Sequence, residues 1–149
     1  MSLKNVRAGG AILWLIVAGL AIAGCHRAPD EAQVRAAIAG VAEAAENGAA
    51  GDVVASLSDD FDGNGGEFDR RALGNLVRLF ALRGERIGVV TGPVAVERRG
   101  ERLLASMTIT LTGSGRLLPE HAGVYRVQSA WRRENGRWLC YTATWQRAL

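Results

Sequence analysis

Residues 123–146 read GVYRVQSAWRRENGRWLCYTATWQ. The dipeptide Asn135-Gly136 divides this stretch, and Asn-Gly suits the two positive-φ positions of a tight hairpin turn. Before it, residues 123–134 place every second side chain on a shared face, with Tyr125, Val127, Ser129 and Trp131 together. Residues 137–146 predict the returning strand. We therefore expect an antiparallel hairpin to close the fold.

The preceding segment predicts two further strands. Residues 102–112 alternate between an apolar face and a Ser/Thr face, which is the pattern of a half-buried strand. Its apolar residues are Leu103, Ala105, Met107, Ile109 and Leu111. Residues 85–98 predict the other strand. Gly92-Pro93 interrupts it, and because proline lacks an amide donor, the pair indicates a bulge or an edge.

Residues upstream of the strands have helical spacing. Apolar residues between Val34 and Ala45 recur at the three- and four-residue spacing of one helix face. Asp30 with Gln33 resembles a capping box at the start, and Asn47-Gly48 is typical of the end.

Two shorter helices are expected next. Asp52 predicts the start of a second helix running through Leu57, while Asp69 predicts the start of a third helix that Gly84 ends. Helices followed by a meander of strands indicate an α+β domain with helices on one face of an antiparallel sheet.

The composition limits the class of protein. Of 149 residues, 48% are apolar, which excludes a chain disordered throughout and allows one domain. The net charge is +3, but Lys4 and Arg7 lie in the acid-free first 24 residues, so the remainder is nearly neutral. A nucleic-acid surface needs clustered excess base. We therefore expect no nucleic-acid partner.

The amino-terminal segment predicts a secretory signal. Lys4 and Arg7 precede the apolar run AILWLIVAGLAIA at residues 11–23. The alternative is a retained transmembrane helix, but thirteen apolar residues at about 1.5 Å each are too short for a core of about 30 Å.

Ile22-Ala23-Gly24-Cys25 resembles the lipobox of bacterial lipoproteins. The resemblance implies residues 1–24 as signal peptide, a lipidated Cys25 bearing diacylglyceryl and palmitate-type chains, a tether at 25–29, and a domain at 30–149. Several acyl chains anchor firmly where one does not. His26 follows, not Asp, which by resemblance to the enterobacterial sorting rule favours the outer membrane, facing the periplasm.

The chain has two cysteines. With Cys25 lipidated, Cys140 has no partner for an internal disulfide. We expect Cys140 to be a small buried hydrophobe. The alternative is a nucleophile, which would need a neighbouring histidine or cation.

Three features resemble the nuclear transport factor 2-like (cystatin-like) superfamily across about residues 30–147. They are the element order, the run Leu57-Ser58-Asp59-Asp60-Phe61 after the short helix, and the closing hairpin from Trp131 to Trp138. The resemblance implies a strongly curved antiparallel sheet wrapped around the helices, with a cone-shaped pocket. Steroid isomerases, polyketide cyclases and dehydratases of this fold place an Asp or an Asp–His pair there. Other members bind, dimerise or scaffold, so a homodimer is a possible assembly.

The sequence offers few catalytic or metal-binding residues. Asp60-x-Asp62-x-Asn64-Gly65 matches half of a calcium loop, but Arg71 stands where the twelfth position needs glutamate. We expect no metal and no organic cofactor. Acidic residues after the first helix lie at caps, turns and strand ends, which disfavours acid–base catalysis. His121 and Asp62 remain weak catalytic candidates.

Aromatic side chains on the last two strands are the main binding candidates. Their rings can line an apolar pocket while their polar tips orient a ligand. The candidates are Tyr125, Val127, Trp131, Trp138, Tyr141 and Trp145. Ordinary core packing is the alternative for these residues. Arg126, Arg132, Arg133 and Arg137 are expected on the opposite face or in the turn.

These observations predict a lipid-anchored envelope protein that binds a small apolar ligand or a protein partner. One alternative is an isomerase- or cyclase-type enzyme that uses the pocket. A second alternative is a structural subunit of an envelope complex.

Overall fold

The computed structural model describes residues 29–115 and 121–148. The expected signal peptide and, apart from Pro29, the expected tether lie outside the described residues. The described elements are, in order, α1 (Asp30–Glu46), α2 (Ala50–Ala55), β1 (Leu57–Gly63), β2 (Phe68–Asp69), α3 (Arg70–Leu82), β3 (Arg86–Thr91), β4 (Ala95–Arg99), β5 (Arg102–Ser114), β6 (Gly123–Glu134) and β7 (Arg137–Arg147). None of the helices in this part of the chain is long and apolar enough to cross a membrane.

The strands form one sheet in the order β2-β1-β7-β6-β5-β3, and β4 pairs with the first half of β5. The expected α+β class is confirmed, but the expectation of a purely antiparallel sheet is wrong. The sheet is mixed because β1 runs parallel to β7. The sequence pattern does not predict β1, because positions 59, 60 and 62 are aspartates and aspartate is depleted in strands. Leu57 accordingly begins β1 and does not end the second helix.

The turns and most helix ends follow the sequence. Asn135 and Gly136 have φ of 49° and 80°, the left-handed pair expected of an Asn-Gly hairpin. Asp69 caps α3, and its carboxylate accepts a hydrogen bond of 2.7 Å from the Ala72 amide. Gly84 follows α3 with φ of 67°. These predictions are confirmed.

The strand predicted at 85–98 is divided into β3 and β4. The Gly92 amide donates to the Thr108 carbonyl at 2.8 Å, and Pro93 lies exposed in the break. Both pieces pair with β5 in succession, so the interruption expected from Gly92-Pro93 is confirmed.

Strand β7 carries one extra residue opposite β6. Ala130 pairs with Thr142 and Trp131 pairs with Cys140, so Tyr141 has no partner in the register. This β-bulge lets both Cys140 and Ala143 contact the core, which strict alternation would forbid.

The helices pack on one face of the sheet. Val34 and Leu103 have no exposed surface and join α1 to β5. The main cluster of buried residues comprises Val34, Ile38, Leu57, Phe61, Leu103, Ala105, Met107, Trp131, Trp138 and Cys140.

Asp30 joins the first turn of α1 to three strands. Its carboxylate accepts hydrogen bonds from Arg98 at 2.7 Å, from the Trp138 indole at 3.2 Å, and from Arg133. The capping-box prediction is therefore wrong, because Pro29 is the N-cap and makes no side-chain cap. The Arg98 hydrogen bond, followed by that of Trp138, holds the pKa of Asp30 below its usual value.

Asp30→Asn should lower the midpoint of urea unfolding at pH 7, because it removes the charge that pairs with both arginines. The folded-state pKa of Asp30 is depressed, so its stabilisation is complete above the unfolded-chain pKa of about 3.9. That stabilisation is lost as the pH falls through the lower folded-state pKa. The midpoints of wild type and variant should therefore converge towards pH 2.

Asp59→Asn is the matched control. The Asp59 side chain is 98% exposed and pairs only at the surface with Arg70, so its loss should leave the midpoint nearly unchanged. Equal effects of the two substitutions at pH 7 would contradict a structural role for the Asp30 cluster.

Candidate ligand-binding cavity

A cavity of about 370 Å³ lies between the helices and the inner face of the sheet. Its deep end is bounded by Trp131 and Cys140, which are buried. At the other end His121 is exposed, so the cavity opens there. The volume falls within the range of small-molecule sites.

Strand alternation supplies one wall of this cavity. Successive side chains of a strand point to opposite faces, so every second residue of β5 and β6 faces inward. The sheet residues that line the cavity include Met107, Ile109, Leu111, Tyr125, Val127, Ser129, Trp131, Cys140, Ala143 and Trp145.

The helices supply the opposite wall through residues at helical spacing. Those of α1 are Ile38, Val41, Ala42 and Ala45, and those of α3 are Leu73, Leu76, Val77 and Phe80. The carboxylate of Glu46, which ends α1, accepts a hydrogen bond of 2.8 Å from the Val89 amide. Helix α1 therefore extends from the Asp30 cluster to the open end of the cavity.

Small side chains form the floor at the sheet. Ser129 of β6 and Ala143 of β7 are paired and line the cavity, and Ala105 is buried beside Ser129 on β5 without lining it. The side chains of the next inward-facing row, Met107, Val127 and Trp145, are larger. The small side chains of Ser129 and Ala143 thus leave room for the cavity to reach the sheet.

The described lining has few side chains that can ionise. It contains no aspartate, glutamate, lysine or arginine, and its titratable residues are His121, Tyr125 and Cys140. Burial raises the pKa of Cys140 to about 12, and its thiol donates to the Thr142 carbonyl at 3.3 Å. Cys140 is therefore a buried neutral thiol, which agrees with the small-hydrophobe expectation.

The open end has two further contacts. The Tyr125 hydroxyl donates to the His121 carbonyl at 2.9 Å, and the Phe80 ring meets the His121 ring edge-on with centroids 6.2 Å apart. His121 thus stands at the mouth, fixed through its backbone.

Of the six residues proposed as a pocket, the structure places Tyr125, Val127, Trp131 and Trp145 along the cavity. Trp138 lies outside it, beneath the guanidinium of Arg133 and bonded to Asp30. Tyr141 lies on the outer face because of the bulge, between the guanidinium groups of Arg102 and Arg132 at 5.4 and 5.2 Å.

The helical half of the lining is not among the predicted pocket residues, which all lie on the last two strands. Its signal was present in the apolar stripes of α1 and α3, but those stripes equally predict a filled core. The strand alternation predicts the correct face for Ser129 but no role for it.

Asp60 and Asp62, the aspartates of the half calcium-loop pattern, both make hydrogen bonds within the protein. Asp62, the second weak catalytic candidate, is exposed on β1 and accepts from the Gly66 amide, outside the cavity. Asp60 makes two hydrogen bonds with Arg132, of 2.6 and 3.2 Å, which lower the pKa of its carboxyl group. Among the described residues, no cluster of three or more His, Cys, Asp or Glu could hold a metal ion.

A second depression, of about 410 Å³, lies on the outer face of the sheet. Its lining includes Ser106, Gln128, Thr142 and Thr144, with Leu104 as a half-exposed apolar residue. This surface is more polar than the inner cavity.

Cys140 should react with a water-soluble disulfide reagent about a thousandfold more slowly than an unfolded-chain thiol at pH 8. The reason is the rise of its pKa from about 8.5 to about 12, which removes the thiolate. A Cys25→Ser chain leaves Cys140 as the single thiol. Absorbance at the reagent's product band should rise at once only after guanidinium is added, and immediate reaction of the folded chain would contradict the described burial.

No protein-family model and no curated protein matches this chain. Solved structures do match it. A nuclear transport factor 2-like protein from Cytophaga hutchinsonii superposes with a TM-score of 0.64 at 15% identity, over 80% of this chain and 98% of that one. A nuclear transport factor 2-like protein with a cystatin-like fold from Novosphingobium aromaticivorans gives 0.63 at 16%, over 96% and 92%.

A candidate dehydratase of the nuclear transport factor 2-like family from Streptomyces avermitilis is similar to the same extent. Its TM-score is 0.63 at 15% identity, over 80% of this chain and 96% of that one. At such identities the likeness concerns the fold, since one fold hosts many activities. The described chain therefore has the nuclear transport factor 2-like, cystatin-like fold expected from its sequence.

Proposed function

We propose that this protein binds a small apolar molecule in the cavity between α1, α3 and the sheet. The observation that carries the proposal is a space of about 370 Å³ whose described lining holds no acidic, lysine or arginine side chain. Apolar walls release water when an apolar ligand covers them, and each Å² so covered contributes about 25 cal/mol.

The small residues of the floor favour a binding role over a purely structural one. Protein interiors are normally filled to crystal-like density. Here Ser129 and Ala143 present small side chains to the cavity where larger residues would close it. A structural subunit needs no such space, and the outer depression of the sheet would be its contact surface.

The isomerase or cyclase alternative needs a general base within hydrogen-bond reach of a bound substrate. In the described lining, Cys140 is a neutral thiol and the Tyr125 hydroxyl is engaged with His121. His121 would be the base, at the mouth and not at the floor. The Streptomyces relative is named as a candidate dehydratase, and that chemistry belongs to that protein. Binding is therefore the better supported role.

We also propose that Cys25 anchors the protein by lipid to the bacterial envelope, on the periplasmic side of the outer membrane. The support is the run Ile22-Ala23-Gly24-Cys25 at the end of a charged and then apolar start. Five tether residues span at most about 17 Å, so the domain stays beside the membrane. The Asp30 end of α1 is then proximal, and the cavity mouth lies one helix length, about 25 Å, further along α1.

Ala143→Leu should abolish ligand binding, because the added atoms occupy the floor of the cavity. Thr144→Leu is the matched control on the exposed neighbouring position. Native mass spectrometry of each protein, purified from its own host, should show a bound small molecule on wild type and on Thr144→Leu but not on Ala143→Leu. A wild-type protein without an adduct, or the same adduct on all three, would overturn the binding proposal.

Cys25→Ser should abolish incorporation of a clickable palmitate analogue and release the protein from membranes. Cys140→Ser, which changes the other thiol, should keep both the label and the membrane fraction. The measurement is in-gel fluorescence after metabolic labelling, followed by fractionation in high salt. Persistent labelling of Cys25→Ser would refute the lipid anchor.

A further inference from the structure

A buried polar pair stands on the floor of the cavity. The Trp131 indole N–H donates to the Ser129 hydroxyl oxygen at 2.9 Å. Trp131 is 3% exposed and Ser129 is 8% exposed, and both line the cavity. They are two positions apart on β6 and therefore share its inner face.

The Ser129 hydroxyl retains a hydrogen to donate, because a serine hydroxyl is one donor as well as an acceptor. Within residues 29–115 and 121–148, no acceptor for that hydrogen is found. The other buried serine differs, since the Ser58 hydroxyl donates to the Cys140 carbonyl at 3.2 Å. Ser58 is thus satisfied inside the protein, whereas Ser129 can donate into the cavity.

The indole strengthens this donor. A hydroxyl that accepts one hydrogen bond becomes more polarised and donates a better one. The cavity walls around Ser129 are apolar. A ligand without an acceptor near Ser129 therefore leaves its hydroxyl without a hydrogen-bond partner, which weakens binding.

The charge of the ligand follows from the same lining. An ionised carboxylate on the floor would be costly to desolvate, and no described lining residue supplies a lysine or arginine to balance it. A neutral oxygen acceptor carries no such cost.

We propose that the ligand is an apolar molecule with a neutral carbonyl oxygen at its leading end, which accepts a hydrogen bond from Ser129. Trp131 is the positioning residue that orients and polarises that hydroxyl. This inference rests on the proposed binding function and names its ligand class.

Thr91 marks a rival position. Its hydroxyl oxygen is buried, lines the cavity and has no hydrogen-bond partner among the described residues. Thr91 is aligned with Ile109 and Tyr125, towards the mouth, whereas Ser129 lies four residues further along β6. A carbonyl held at Thr91 would therefore lie near Tyr125, away from Val127 and Ala143 beside Ser129.

Benzophenone is a suitable probe, because it is an apolar neutral ketone. Its photoexcited carbonyl oxygen abstracts a hydrogen from a neighbouring C–H bond, and the ketyl carbon then bonds to the carbon radical so formed. The full chain in lipid nanodiscs would be irradiated with increasing benzophenone, and adducts mapped by peptide mass spectrometry. In wild type we expect saturable adducts on Val127 and Ala143. Ser129→Ala should raise the half-saturating concentration about three- to tenfold and move the adducts towards the mouth. Ser58→Ala, the matched buried serine, should change neither.

A second readout tests the role of Trp131. Its indole ¹⁵N–¹H resonance, assigned by its loss in Trp131→Phe, should shift with benzophenone more than with diphenylmethane, the hydrocarbon counterpart. Equal shifts would mean that the indole is only structural.

The outcomes separate the two proposals. Saturable cavity adducts that are indifferent to Ser129→Ala, or that centre on Thr91 and are lost in Thr91→Val, overturn the carbonyl site and leave ligand binding intact. Absence of any saturable cavity adduct in wild type overturns both. Should Ser129→Ala fail to fold, the wild-type adduct map still decides between Ser129 and Thr91.

Discussion

The pairing of β6 with a neighbour on each side is the constraint on which the cavity depends. β5 pairs with it from Gly123 to Trp131, and β7 pairs with it from Tyr125 to Glu134. Because side chains alternate between faces, a slip of one residue would turn every cavity residue of β6 to the outside. The turn at Asn135-Gly136 fixes the register of the hairpin. The bulge at Tyr141 then adjusts β7 so that Cys140, Ala143 and Trp145 all face the same interior.

An open apolar cavity also needs walls that cannot collapse. The Asp30 cluster holds the first turn of α1 against β4, β6 and β7, and Glu46 holds its last turn against β3. Helix α1 is thus attached to the sheet at both ends while its middle faces the cavity. The two attachments are polar and directional, so they set the separation of helix and sheet, whereas apolar contacts alone would favour closure.

Local patterns predicted the elements whose signals are local. The Asn135-Gly136 turn, the alternation of β5 and the Asp69 cap each depend on a few consecutive residues, and each is as expected. Elements that depend on distant partners were not predictable in this way. β1 is a strand, in spite of its aspartates, because β7 pairs with it. The Asp30 carboxylate does not cap α1, because it accepts a hydrogen bond from Arg98, which is 68 residues away. The bulge that turns Tyr141 to the outer face leaves no mark in the hydrophobic pattern. Trp138 shares the inner face with Cys140, as the pattern predicts, but it packs in the core beyond the cavity and donates to Asp30 on the distant helix α1.

The distribution of charge explains what kind of recognition this cavity can perform. The described ion pairs of Asp30, Asp59 and Asp60 with arginines lie at least partly exposed to solvent, away from the cavity lining. The interior is left with aliphatic and aromatic surface and a few neutral hydroxyl groups. In such a medium a hydrogen bond is stronger than in water, and an unmatched polar ligand group costs more. Discrimination among apolar ligands of similar shape therefore depends on where a single neutral oxygen meets the wall. The Ser129–Trp131 pair at the floor and the Thr91 hydroxyl towards the mouth are the described positions at which that can occur.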